Sequence, residues 1–252
     1  MRKVPDLLCP QLEMIQLRRA EARHHDPRRR RKIWRTFDPR DRSDLLADGF
    51  GTLETLDENR LPPRGDVPRY AREEAEIVTY VREGTVVYED SLGHSGVIHA
   101  GEFQRMIAAL GARHSEANAS RVDWAHVFQI RLRGSAAELV AGREQARFSA
   151  AERRGGLCIV ASPDARRGSL RLGHDTRMYS ALLEPGQHVV HELATGRAAW
   201  LHIVQGEVGL HELVMSAGDG AGVTMECAVS LTARADSEIL LFDVAERRAP
   251  DG

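Results

Sequence analysis

His114 and Glu116 stand two positions apart in the stretch GARHSEAN, and their types and spacing suit metal binding. Side chains at i and i+2 of a strand leave the same face. An imidazole nitrogen and a carboxylate oxygen are both ligands for a divalent ion such as iron, nickel or zinc. Two ligands from one strand hold such an ion weakly, because each bond must offset desolvation of the ion and ordering of a side chain. The remaining histidines form no comparable set. His188, His191, His202 and His211 crowd one region without His-x-His spacing, and among eleven histidines this grouping reads as core and surface residues. Cys9, Cys158 and Cys227 are odd in number and widely spaced, without a CxxC, so they are expected as reduced thiols rather than disulfides or a zinc knuckle.

The elements around this pair read as short strands. Ile77, Thr79 and Val81 alternate with other residues, a turn falls near Glu83-Gly84, and Val86 and Tyr88 continue the pattern. Turns at Asp90 to Gly93 and Ala100 to Glu102 bracket a further strand at Gly96 to Ile98. Leu53 to Leu56 forms a strand ahead of the Leu61 to Gly65 loop. In VDWAHVFQIRL, Val127, Gln129 and Arg131 face oppositely to Phe128, Ile130 and Leu132, which closes a first barrel. Residues 1 to 13 read as a loosely held arm, Met14 to Leu17 as a first short strand, and the polar, Ala-rich Gly134 to Gln145 as a linker. Beyond it, strands are expected over Gly156 to Ser162, Met178 to Leu183, His188 to Leu193, Ala199 to Gln205, Val208 to Leu213, Val229 to Thr232 and Ile239 to Val244. Many short strands separated by turn signals specify an all-β chain.

Several of these phrases resemble the pirin family. The turns DSLG (Asp90 to Gly93) and AGEFQ (Ala100 to Gln104) match it, as do IVTYVREG after Glu76, the closing His114-Ser115-Glu116-Ala117-Asn118, and the later ASPDARRGSL, LEPGQHVVHEL and ILLFD. The resemblance spans residues 30 to 247 and implies two tandem cupin-type β-barrels, a bicupin, here divided as 1–134 and 135–252. It also implies one iron or other divalent ion in the first barrel, held by two histidines of a first motif with the His and Glu of the second. In this chain Tyr70 and Arg72 stand where those two histidines belong. A phenol with a reference pKa of about 10 coordinates as phenolate only beside a strong Lewis acid, and a guanidinium offers donors alone. Either the Arg72 guanidinium takes the ion's place and pairs with Glu116, or it points to solvent and leaves the pocket to water. Glu76 belongs to the family's first motif and is taken as a pocket residue. The second barrel, which lacks a metal motif, is expected to be structural or an interaction surface.

At 252 residues and 42% apolar composition the chain suffices for one large or two ordinary domains. No apolar run approaches the roughly 18 to 20 residues of a spanning helix, and no signal-peptide core opens the sequence, so the cytoplasm is expected and a membrane is not. The net charge of −2 conceals twelve Lys or Arg against five Asp or Glu within residues 1–40. Arg28 to Lys32 reads as a solvated loop; no helix-turn-helix or zinc-finger pattern accompanies it, and nucleic acid is not an expected partner. Lys3 and Lys32 are the only lysines among 35 basic residues, which points to a GC-rich bacterial genome. The functional expectation is a non-catalytic, regulatory protein that binds a small molecule or a protein partner, with no cofactor and no catalytic residue. The alternative implied by the resemblance is a quercetin 2,3-dioxygenase-type oxidoreductase using iron, nickel or zinc, against which the loss of two ligands argues. Nucleic-acid binding through Arg28 to Lys32 ranks last.

Overall fold

Apolar side chains at every second position, punctuated by glycine turns, fold this chain into strands, and the computed structural model describes residues 15–25, 31–67, 76–91, 93–107, 114–133 and 142–246. In chain order the strands are β1 (Ile15–Arg18), β2 (His24–His25), β3 (Lys32–Arg35), β4 (Leu53–Leu61), β5 (Glu76–Glu83), β6 (Thr85–Asp90), β7 (Ser95–His99), β8 (Glu102–Ile107), β9 (His114–Asn118), β10 (Ala125–Leu132) and β11 (Gly142–Arg147). A short helix, α1 (Ala150–Arg153), leads to β12 (Cys158–Ser162), β13 (Leu170–Arg171), β14 (Thr176–Leu183), β15 (His188–Glu192), β16 (Arg197–Gln205), β17 (Glu207–Leu210), β18 (Leu213–Ser216), β19 (Gly220–Val223), β20 (Ala228–Ala233) and β21 (Ser237–Ala245).

Two barrels result, as expected. In the first, a seven-stranded sheet ordered β11-β8-β5-β10-β4-β3-β2 faces the three-stranded β7-β6-β9. In the second, β1-β19-β16-β21-β14-β12-β13 faces β15-β20-β17-β18. Gly84 shows why the first hairpin turns where it does: its φ of +83° suits glycine, and a Cβ there would meet Ala125 at 2.9 Å.

The division at residue 134 needs correction, because the chain crosses it twice. Ile15–Arg18 pairs with Gly220–Val223 of the second barrel, and Gly142–Arg147 pairs with Glu102–Ile107 of the first. Part of the segment read as a linker is thus an edge strand. The edge residues of each large sheet leave backbone groups that such an exchanged strand satisfies. Residues 1–13, 134–141 and most of the basic run lie outside the described residues; Arg31 donates to the Asp66 carbonyl at 3.2 Å, and Lys32 opens β3.

The central strands are buried on both faces, so their side chains divide between two cores. Even-numbered positions such as Val78, Tyr80, Phe128 and Ile130 join Trp200, Leu240 and Phe242 in the seam between the barrels. Odd-numbered positions such as Val81 and Val127 meet Val86 and Ile98 of the small sheet inside the first barrel. This alternation corrects the placement of Glu76. It falls on the seam side, where its carboxylate accepts hydrogen bonds from Arg105 Nε at 2.7 Å, the Gly173 amide at 3.0 Å and His174 Nδ1 at 2.6 Å. Burial works to raise its pKa, but the bonds from His174, Arg105 and Gly173 outweigh that and hold it below the usual carboxylate value. Glu76 therefore ties the barrels together instead of lining the pocket. Further along β5, Glu238 accepts from Tyr80, from Arg153 at 3.0 Å and from Arg82 at 2.9 Å across the same seam.

Removing one partner from a buried charged cluster strands the others, at a cost of about 3–5 kcal/mol. Glu76→Ala is expected to lose stability of that order in urea unfolding at neutral pH, by leaving Arg105 and His174 without their acceptor. A loss below about 1 kcal/mol, the worth of an exposed ion pair, would show that Glu76 does not clamp the seam.

Candidate functional site

Strand register builds a polar belt across the interior face of the first barrel. The pairings Gln145 to Gln104, Gln104 to Thr79, Thr79 to Gln129, Gln129 to Asp57 and Asp57 to Arg35 set six polar side chains side by side on β11, β8, β5, β10, β4 and β3. The small sheet presents its own inward pairs, Tyr88 with Glu116 and Asp90 with His114. The two sheets meet at Glu116. Its carboxylate accepts from Thr79 Oγ1 at 3.3 Å and from Gln129 Nε2 at 3.0 Å, and only 3% of the residue is exposed.

Burial pushes the Glu116 carboxyl above its ordinary range; Arg143 and the hydrogen bonds from Thr79 and Gln129 oppose this without cancelling it. Arg143 comes from β11, passes 4.3 Å over the Tyr88 ring, donates to Gln104 Oε1 at 2.9 Å and lies 3.6 Å from Asp90. The guanidinium thus bridges the two sheets beside the strand pair that carries Glu116. At the other end of the belt Asp57 is fully enclosed, and neither of its oxygens has a hydrogen-bond partner among the described residues. Burial pushes its carboxyl up to about 7, against the opposing pull of Arg35 and Arg131.

Of the residues singled out in the sequence, His114 and Glu116 share β9 and its inward face, with His114 half-buried. Glu76 stands on the large sheet, on the face turned away from β9, and Tyr70 and Arg72 lie outside the described residues. The second-barrel histidines do not converge. His188 meets Ser230 at 2.8 Å, His191 meets Asp243 at 3.0 Å, and His211 occupies a turn at φ +51°. His202 is buried, and burial drives its pKa down to about 3. Among the described residues no group of three or more His, Cys, Asp or Glu side chains could hold a metal ion. Thr79 and Gln129 were not singled out from the sequence, although each is a polar side chain within the alternating pattern of its strand. Arg143 was missed because its strand is polar at nearly every position and borrows its register from β8.

Two family models match the chain in succession: the pirin model over residues 21–132 and the quercetinase C-terminal cupin domain over residues 159–244. The quercetin 2,3-dioxygenase of Escherichia coli K12 is 36% identical over 231 residues, which cover 92% of this chain and 99% of that protein. The chain belongs to the pirin family. A pirin-like protein of Caulobacter vibrioides is 30% identical over 78% of this chain and 84% of that protein. The crystal structure of the E. coli bacterial pirin YhhW in complex with nickel(II) superposes with a TM-score of 0.85 at 35% identity, covering 93% of this chain and all of that one.

The described residues of this pirin do not fit such an ion. They supply one imidazole and one carboxylate from a single strand, and a guanidinium acts on that carboxylate. At the first-motif positions the sequence offers a phenol and a second guanidinium, Tyr70 and Arg72. A divalent centre requires several anionic or lone-pair donors converging, and a cation in the same cavity opposes the ion directly.

Asp57 gives a stability signature with a definite sign. Its folded pKa lies above its unfolded value, so the folded protein keeps a proton that the unfolded chain releases between those values. The contribution is therefore fully present below about pH 4 and is lost as pH rises through about 7. Asp57→Asn removes this term. Relative to wild type the variant is expected to gain about 3 kcal/mol in urea unfolding between about pH 5 and about pH 8. A difference that stays constant with pH would mean that Asp57 is ionised in the folded protein.

Proposed function

We propose that this pirin acts by binding, with the interior of its first barrel serving as a polar site for a small molecule and no metal-assisted oxidation taking place there. The observation that carries this reading is the state of Glu116. Its oxygens accept hydrogen bonds from Thr79 and Gln129, and the Arg143 guanidinium, 4.3 Å over the ring of its strand neighbour Tyr88, adds positive charge nearby. A hydrogen-bonded polar cavity of this kind holds ligands by donors and acceptors of fixed direction. No residue is assigned a catalytic role, and no cofactor is required. Among the described residues no helix is long and apolar enough to cross a membrane. The location proposed with this reading is the cytoplasm.

The second reading is a quercetin 2,3-dioxygenase-type oxidoreductase, favoured by the name of the E. coli relative and by the nickel complex of YhhW. It would need His114 and Glu116 completed by ligands from the first motif, which Tyr70 and Arg72 do not supply.

Metal analysis of protein purified without chelator separates the two, together with quercetin consumption in the presence of iron, nickel or zinc. Substoichiometric metal and no turnover are expected for the wild type. Tyr70→His combined with Arg72→His is expected to gain a divalent ion. Its melting temperature should rise on nickel addition, since a ligand at 100-fold its Kd adds about 2.7 kcal/mol to the native state. Each single variant should respond much less. Stoichiometric metal in the wild type with quercetin turnover overturns the binding reading, and a folded double variant that binds no metal overturns the account of why the site lacks one.

A further inference from the structure

We infer that the rim of the first barrel takes a small monocarboxylate with an apolar body, its carboxylate seated on Arg35. This names the ligand class for the binding reading above and rests on it. A cavity of about 680 Å³ opens beside β3, β4 and β10, lined by Arg35, Arg40, Arg131 and Arg133 together with Phe37 and Thr55. That volume lies within the roughly 300 to 1,000 Å³ of small-molecule pockets.

The four guanidiniums are not equivalent. Arg40 forms a fork with Asp38, at 2.8 and 2.9 Å, Arg133 donates to the Asp48 carbonyl, and Arg131 lies 4.0 Å from Glu54. Arg35 makes no hydrogen bond among the described residues; the carboxylate it faces is Asp57, with Nε to Oδ2 at 3.8 Å. That distance is too long for an N–H···O bond. Asp57 in turn is fully buried with neither oxygen hydrogen-bonded, and the Thr55 hydroxyl that lines the cavity is also without a partner. Buried donors and acceptors are ordinarily satisfied, and of this cluster Arg35 and Thr55 line the cavity, where a ligand would complete them.

Charge and shape restrict the ligand. A guanidinium pairs with a carboxylate through two parallel N–H···O bonds. Asp38, Asp48 and Glu54 on the same wall oppose a second negative charge, which disfavours a dianionic phosphate. Phe37, Pro39 and Ala47 supply apolar surface for the remainder of the molecule. Asp57 competes with the ligand for Arg35. With its carboxyl at about 7, that competition is partial at neutral pH.

Titration calorimetry on the full chain tests this with benzoate, its neutral isostere benzamide and inorganic phosphate. Benzoate is expected to bind, and the other two to bind at least tenfold more weakly. Arg35→Gln is expected to weaken benzoate at least tenfold. At pH 8, where the wild-type Asp57 carboxyl is mostly ionised, Asp57→Asn, which removes the competing charge while keeping the shape, is expected to tighten it at least threefold. The opposite directions of the two variants separate recognition by Arg35 from a loss of folding. Equal affinity for benzoate and benzamide, for benzoate and phosphate, or for wild type and Asp57→Asn overturns the inference. An absence of benzoate binding in metal-free wild type also overturns it and leaves the binding reading standing. Stoichiometric metal with quercetin turnover removes that reading itself.

Discussion

A carboxylate enclosed in a β-barrel must be matched by a cation, by hydrogen bonds or by a proton, and Glu116 imposes that requirement on the first barrel. Thr79 and Gln129 reach it from the large sheet, and Arg143 arrives from an edge strand that crosses over from the second half of the chain. The strand exchange therefore has a chemical consequence. It delivers a guanidinium to the place where the two sheets of the first barrel face each other. The same belt continues through Gln129 to Asp57 and Arg35, so the interior carries ionisable groups of both signs across several strands.

The period of two governs how this interior is kept apart from the seam. On β5, Glu76 and Tyr80 go to the seam while Ile77 and Thr79 go to the barrel, and a one-residue slip in register would exchange the two sets. The seam is held by its own polar groups, Glu76 with Arg105 and His174, and Glu238 with Arg82, Arg153 and Tyr80. Buried charges of this kind add less net stability than their number suggests, because each is desolvated; their geometry fixes how the barrels dock. A rigid seam keeps β5 and β10 in place, and with them Thr79 and Gln129.

Much of this was legible in the sequence wherever a residue's role depends on its own strand. The alternation in VDWAHVFQIRL placed Gln129 and Arg131 opposite Phe128, and the i, i+2 spacing placed His114 with Glu116. What escaped the sequence depends on pairing between distant segments. Gly142–Arg147 is too polar to announce a strand, and Arg143 acquires its position only from the register with β8. Glu76 sits in a recognisable motif, yet its role follows from Gly173 and His174, nearly a hundred residues further along.

The central claim is that positive charge reaches Glu116 from a guanidinium and not from a divalent ion. Anomalous scattering at the nickel edge, from crystals of the wild-type protein soaked in nickel(II), addresses it most directly. The account predicts no anomalous peak within bonding distance of Glu116 and His114, with the Arg143 side chain resolved over Tyr88. A strong peak bonded to both side chains, at about 2.0–2.2 Å, would contradict it.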